Sequence, residues 1–150
     1  MSAVDQVRIR DARAEDADDV ARLMRLIGTE TPPGDTQARE ALEDFLAGGE
    51  VVLVAEQDGG VVGACSLHIA RMNPMDVTPG AWLDGLAVDG THRRRGVGRA
   101  LMEEARRRAE AAGCDSIVLH THEEQEAALA LYDDLGLARH GLFLVWPLDR

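Results

Sequence analysis

Leu86 to Leu101 constrains this chain more than any other stretch. It reads Leu-Ala-Val-Asp-Gly-Thr-His-Arg-Arg-Arg-Gly-Val-Gly-Arg-Ala-Leu. An apolar run stops, a loop with His92 and three consecutive arginines follows, and Gly96 and Gly98 open a helix. A strand that turns through glycine into a helix N-terminus gathers unpaired N–H groups and the positive end of a helix dipole at one place. Glycine also lets an anion approach the backbone closely. The net charge is −11, yet four of the 16 basic residues lie between Arg93 and Arg99. The segment is a cradle for phosphate, and it requires a strand followed at once by a helix.

The flanking patterns extend this unit. Val7 to Arg10 alternates apolar and charged residues and reads as a first strand. A helix with acidic residues in its first turn follows Glu15, with Val20, Leu23, Met24 and Ile27 as its apolar stripe. Gly28 to Asp35 breaks it, and Asp35 or Thr36 caps a second helix with Ala38, Leu42, Phe45 and Leu46 inward and Gly48-Gly49 at its end. Val51 to Ala55 is a buried strand, Asp58-Gly59-Gly60 a hairpin signal, and Val61 to Ile69 the return strand.

A loop over Arg71 to Gly80 leads into a fourth strand, Ala81 to Val88. Beyond the glycine turn, Val97, Leu101, Ala105, Ala109 and Ala112 recur at helical spacing up to Gly113. Ser116 to His120 reads as a strand and Glu124 to Leu135 as a helix with Ala128, Leu131 and Leu135 inward. Leu137 to Leu148 then closes the chain as one bent strand or a short pair. The order β-α-α-β-β-β-α-β-α-β predicts an α/β (α+β mixed) fold. Its central sheet is mixed and mostly antiparallel, flanked by helices. No repeat or linker interrupts residues 1–150, which suit a single domain.

Composition narrows the function. An acidic chain lacks the broad basic face that nucleic acid requires. No apolar run approaches the roughly 18 residues of a membrane span, and the N-terminus has no apolar signal region, so a cytoplasmic protein is expected. Cys65 and Cys114 lie in apolar runs without CxxC spacing and read as buried free thiols, with no metal site. Every basic residue is arginine, so the chain carries no lysine of its own to modify.

With this order, two motifs resemble the GNAT superfamily of N-acetyltransferases. The first is Arg93-Arg94-Arg95-Gly96-Val97-Gly98, preceded by Leu86-Ala87-Val88-Asp89. The second is the helix Ala127-Ala128-Leu129-Ala130-Leu131-Tyr132, followed after three residues by Gly136-Leu137. The resemblance spans essentially the whole chain. It implies acetyl-coenzyme A as donor and direct transfer of its acetyl group to an amine.

On that resemblance, Arg93, Arg94, Arg95, Gly96, Val97, Gly98 and Arg99 hold the pyrophosphate and neighbouring phosphate. The backbone of Leu86, Ala87 and Val88 pairs with the pantetheine amides as an added strand. Gly85 marks a bulge that opens this strand, and a following N–H stabilises the oxyanion. Gln125, where relatives carry Asn, and Ala128 flank the pantetheine arm. Tyr132 is the acid that protonates the leaving thiolate. Asp84, where relatives carry glutamate, is the base, acting through water or by orienting the substrate. His68, His120 and His122 are further candidates for the proton transfer.

The acceptor is expected among Gly28–Asp35, Arg71–Gly80 and the C-terminal strand. Glu30, Asp35 and Asp76 there favour a cationic amine, and Met72 and Met75 either line the pocket or pack on the surface. Arg106-Arg107-Arg108 answers Glu103, Glu104 and Glu110 on a solvated helix face. Trp82 and Trp146 belong to core or interface. The partners expected are acetyl-coenzyme A and an amine, with neither nucleic acid nor membrane, and the resemblance leaves a homodimer open. A non-catalytic module that binds acyl-coenzyme A as a sensor remains the alternative. A nucleotide binder of another fold is disfavoured by the lack of GxxxxGK[ST].

Overall fold

The computed structural model describes residues 6–27 and 37–149, so the expectations for Gly28–Asp35, Glu30 and the Asp35 or Thr36 cap lie outside the described residues. The chain divides into two compact units, Met1–Leu119 and His120–Arg150.

The first unit holds a five-stranded sheet in sequential order. Its strands are β1 (Arg8–Asp11), β2 (Val51–Gln57), β3 (Gly60–Ala70), β4 (Gly80–Val88) and β5 (Ile117–Val118). The first four pair antiparallel, and β5 runs parallel to β4. The β2–β3 hairpin closes through Asp58 (φ 54°) and Gly59 (φ 82°), the positive pair of a two-residue type I′ turn, as the sequence predicts.

Helix α1 (Ala17–Leu26) buries Ala17, Ala21 and Leu23, with Val20, Met24 and Ile27 packed beside them. Helix α2 (Ala38–Ala47) adds Ala38 and Leu42. These residues meet Val52, Val54, Ala64 and Ala87, which lie on one face of the sheet. Helix α3 (Val97–Ala111) covers the other face with Val97, Leu101, Ala105 and Ala109. One inward expectation fails: Phe45 is 40% exposed on α2. Helix α3 ends one residue before Ala112, which is exposed.

The Arg106–Arg108 run is the solvated face its spacing implies. Arg106 bonds Glu110 at 2.8 Å, Arg107 and Arg108 bond Glu104, and Arg108 also reaches Asp11. Cys65 is fully buried, and burial pushes its thiol up to about 12. Cys114 is half-buried; both are free thiols.

The second unit carries α4 (Glu126–Leu135), in which Tyr132 is buried and Leu131 half-buried. Gly136 and Leu137 turn their N–H groups back to Asp133 and Tyr132 at 3.1 and 3.0 Å, a Schellman ending where the sequence places the stop. The closing strand expected over Leu137–Leu148 is absent: residues 137–149 form no ladder. Apolar residues make a strand only where a neighbouring edge accepts their backbone groups. Here Leu142, Leu144 and Trp146 stay exposed, so Trp146 belongs to no core.

Candidate active site

The pivotal irregularity is in β4. Asp84 pairs with Ser66 and Ala87 with Ala64, so β4 carries one residue more than β3 over this step. That is a β-bulge, with Gly85 at φ 66°, where the sequence expectation put it. A Cβ on Gly85 would stand 2.9 Å from the Met24 sulfur, so a side chain there is strained by φ and requires Met24 to shift. Gly85→Ala is expected to destabilise the protein by about 1–2 kcal/mol, read as a shift of the urea midpoint.

The bulge coincides with a break in the sheet on the opposite edge. β5 pairs only with Ala81 and Trp82, so no strand among the described residues pairs with Leu86–Val88 on that side. An extended chain carrying amides can add there. β4 then runs into the arginine loop, through Asp89, held by Arg22 at 3.2 Å, and a short turn over Gly90–His92.

Arg94 (φ 64°) and Gly96 (φ 81°) both take the left-handed conformation around Arg95. A non-glycine residue there is strained, and such strain gathers at ligand-holding loops. Gly96 is the N-cap of α3 and offers no side-chain cap, so the first-turn N–H groups have no intrahelical acceptor and face the loop. Arg95 and His92 lean on the hairpin carboxylate of Asp58 at 3.3 and 3.2 Å, and Arg93 donates to the Val88 carbonyl at 3.4 Å. The uncapped helix, the left-handed backbone and the basic side chains fit a pyrophosphate.

The acid and base candidates belong to different units. Tyr132, Gln125, Ala128, His120 and His122 belong to the second unit. There Thr121 donates to the Gln125 side chain, and His120 stacks on Phe143 at 4.4 Å between ring centroids. Asp84 and His68 belong to the sheet. Asp84 Oδ1 accepts the Gly85 N–H at 2.8 Å, tying its carboxylate to the bulge, and Ser66 donates to the Asp84 carbonyl at 3.1 Å. His68 Nδ1 hydrogen-bonds Glu50, a residue the sequence reading passed over.

Asp76 closes its own loop. It accepts the N–H groups of Met72 and Asn73 at 2.9 Å, while Met72 and Met75 lie exposed. Among the described residues no group of His, Cys, Asp and Glu could hold a metal, and no helix is long and apolar enough to cross a membrane.

A mixed sheet whose fourth strand bulges, loses its neighbour on one side and runs into an uncapped helix N-terminus defines a mixed α/β fold with an open strand edge beside an anion-holding turn. The profile of the acetyltransferase (GNAT) family matches residues 19–137, and the chain belongs to that family. It is 38% identical over 97 residues to N-acetyltransferase family 8 member 3 of Rattus norvegicus, covering 65% of this chain and 42% of that protein. It is 35% identical over 72 residues to N-alpha-acetyltransferase 30 of Saccharomyces cerevisiae, covering 47% of this chain and 41% of that one. The chain thus spans about two-fifths of the length of these curated relatives. In fold it matches a Trypanosoma brucei acetyltransferase with TM-score 0.80 at 23% identity, over 95% of this chain and all of that one.

Proposed function

We propose that the chain is an N-acetyltransferase that moves the acetyl group of acetyl-coenzyme A directly onto a primary amine, with both units serving one catalytic domain. The observation that carries this is β4 itself. Its bulge, its open edge at Leu86–Val88 and its run into the uncapped start of α3 supply an amide-pairing edge and a phosphate cradle in succession. The names of the two relatives, an N-acetyltransferase and an N-alpha-acetyltransferase, support transfer to nitrogen.

In this reading Arg93, Arg94, Arg95, Arg99 and the N–H groups from Gly96 to Gly98 bind the pyrophosphate. Leu86, Ala87 and Val88 hold the pantetheine amides, and Gln125 and Ala128 flank that arm. Tyr132 gives its phenolic proton to the departing sulfur, and Asp84 orients the amine.

Calorimetry with acetyl-coenzyme A against ATP tests the donor; tight ATP binding without coenzyme binding would sink the reading. Tyr132→Phe is expected to lower kcat by about 100-fold while leaving coenzyme affinity unchanged. Free-thiol release over an amine panel measures this. Coenzyme binding with no turnover of any amine would instead mark the chain as a sensor.

A further inference from the structure

An open cavity of about 280 Å3 lies wholly within the first unit, lined by Phe45, Glu50, Ser66, His68, Trp82 and Asp84. Sheet register explains the meeting of these residues. Val51 pairs with Leu67 and His68 with Trp82, so Glu50, His68 and Trp82 form one cross-strand row. Ser66 and Asp84 form the next row on the same face, and the bulge follows immediately. Along β4, the Leu86–Val88 edge lies on one side of the bulge and the cavity on the other.

The chemistry of the lining is specific. Phe45 and Trp82 supply aromatic faces, which attract both apolar bodies and cations. Glu50 and Asp84 supply negative charge. Glu50 Oε1 is bonded to His68 Nδ1, whereas Oε2 is buried with no hydrogen-bond partner among the described residues. A buried carboxylate oxygen in that state needs a donor. With Nδ1 engaged, Nε2 is the ring nitrogen left to exchange a proton.

We infer that this cavity is the acceptor site, and that it takes a primary ammonium carried on an aromatic body. The inference rests on the acetyltransferase reading above. His68 is the base, Glu50 positions its ring, and Asp84 holds the ammonium. The ammonium yields one proton to His68 Nε2, which passes it to solvent. The freed lone pair forms the C–N bond to the thioester carbonyl carbon. The C–S bond breaks with its electron pair going to sulfur. The nitrogen's second proton replaces the one that Tyr132 gives to that sulfur, leaving an amide and a thiol. Among the described residues, Glu50 and Asp84 are the charged groups that line the cavity with His68.

The probe is 2-phenylethylamine, assayed by thiol release, with calorimetry against acetyl-coenzyme A alongside. His68→Gln is expected to lower kcat/KM by about 100-fold or more. Glu50→Gln is expected to lower kcat by about tenfold with KM little changed, the mark of a positioning residue. Both should bind acetyl-coenzyme A as the parent does, and His68→Asn replaces His68→Gln if that variant fails to fold. Should the parent bind coenzyme but not acetylate 2-phenylethylamine, or His68→Gln keep its kcat/KM within about twofold, this assignment falls and the donor reading stands. Failure of the parent to bind acetyl-coenzyme A overturns both.

Discussion

Arg10→Met is expected to lower the free energy of unfolding by about 3 kcal/mol, the lower end of the range for stripping one partner from a buried ion pair, because Asp16 is buried and Arg10 half-buried. Arg10 on β1 grips Asp16 with both terminal nitrogens, at 2.7 and 2.8 Å, and its Nε reaches Glu56 on β2 at 2.6 Å. Asp16 is 6% exposed and also accepts the Arg13 N–H at 2.7 Å, which fixes the turn into α1. Methionine fills the volume of the arginine stem but leaves a buried carboxylate without its cation. The double change Arg10→Met with Asp16→Asn should recover part of the loss, because no uncompensated charge then remains.

The same pair sets a pH dependence. The Arg10 hydrogen bonds hold the Asp16 carboxyl below its ordinary value of 3.8. A depressed carboxylate stabilises the fold fully above that value, and the contribution is lost as pH falls through the lower folded value. Urea midpoints measured from neutrality into acid should therefore fall more steeply for the parent than for Arg10→Met. Glu104, held down by Arg107 and Arg108, gives both proteins a common background slope.

Local signals in the sequence carried most of the fold. The Asp58-Gly59 turn and the apolar stripes of α1 and α3 are written in neighbouring residues and formed as expected, whereas the bulge at Gly85 was implied by the family resemblance. Non-local pairing decided what failed. Leu137–Leu148 has the composition of a strand, but composition does not supply an edge to pair with. The bonds from the Met72 and Asn73 amides to Asp76 were likewise invisible in the sequence, because that spacing matters only once the loop is closed.

Glu50 was hidden by register. A two-residue turn pairs Gln57 with Gly60, and an unbroken ladder from there would set Gly49 opposite His68. The irregularity at Ala55/Glu56 shifts the pairing by one and brings Glu50 to that place instead. A one-residue slip of this kind decides which side chains share a row, and periodicity does not reveal it.

Gly63→Val is expected to cost about 3 kcal/mol, the upper end for overpacking a filled core, and to weaken acetyl-coenzyme A binding by about tenfold or more. A Cβ at Gly63 would lie 2.8 Å from Val97 Cγ1, 3.1 Å from Leu101 Cδ1 and 3.3 Å from the Ala87 carbonyl oxygen. Val97 and Leu101 are 1% and 0% exposed, so neither has room to retreat into solvent. The clash therefore pushes on the helix, and it does so at the helix's first residue. Val97 follows Gly96 directly, and the N–H groups of this turn are the ones assigned to the pyrophosphate.

Hydrogen bonds to phosphate weaken steeply once their geometry is lost. Lifting the turn should thus reduce affinity in the molecules that remain folded, beyond any loss of folded population. Arg10→Met supplies the contrast: it removes as much stability from β1 and the entry to α1, yet coenzyme affinity per folded molecule should stay at the parental value. Calorimetry on the two variants, at a temperature where urea titration shows both folded, separates the outcomes. Equal affinity in the two would mean that packing of α3 on β3 does not set the phosphate loop. Truncating Leu101 to alanine in the Gly63→Val background should restore part of the affinity, since the freed volume lets Val97 settle back toward the sheet.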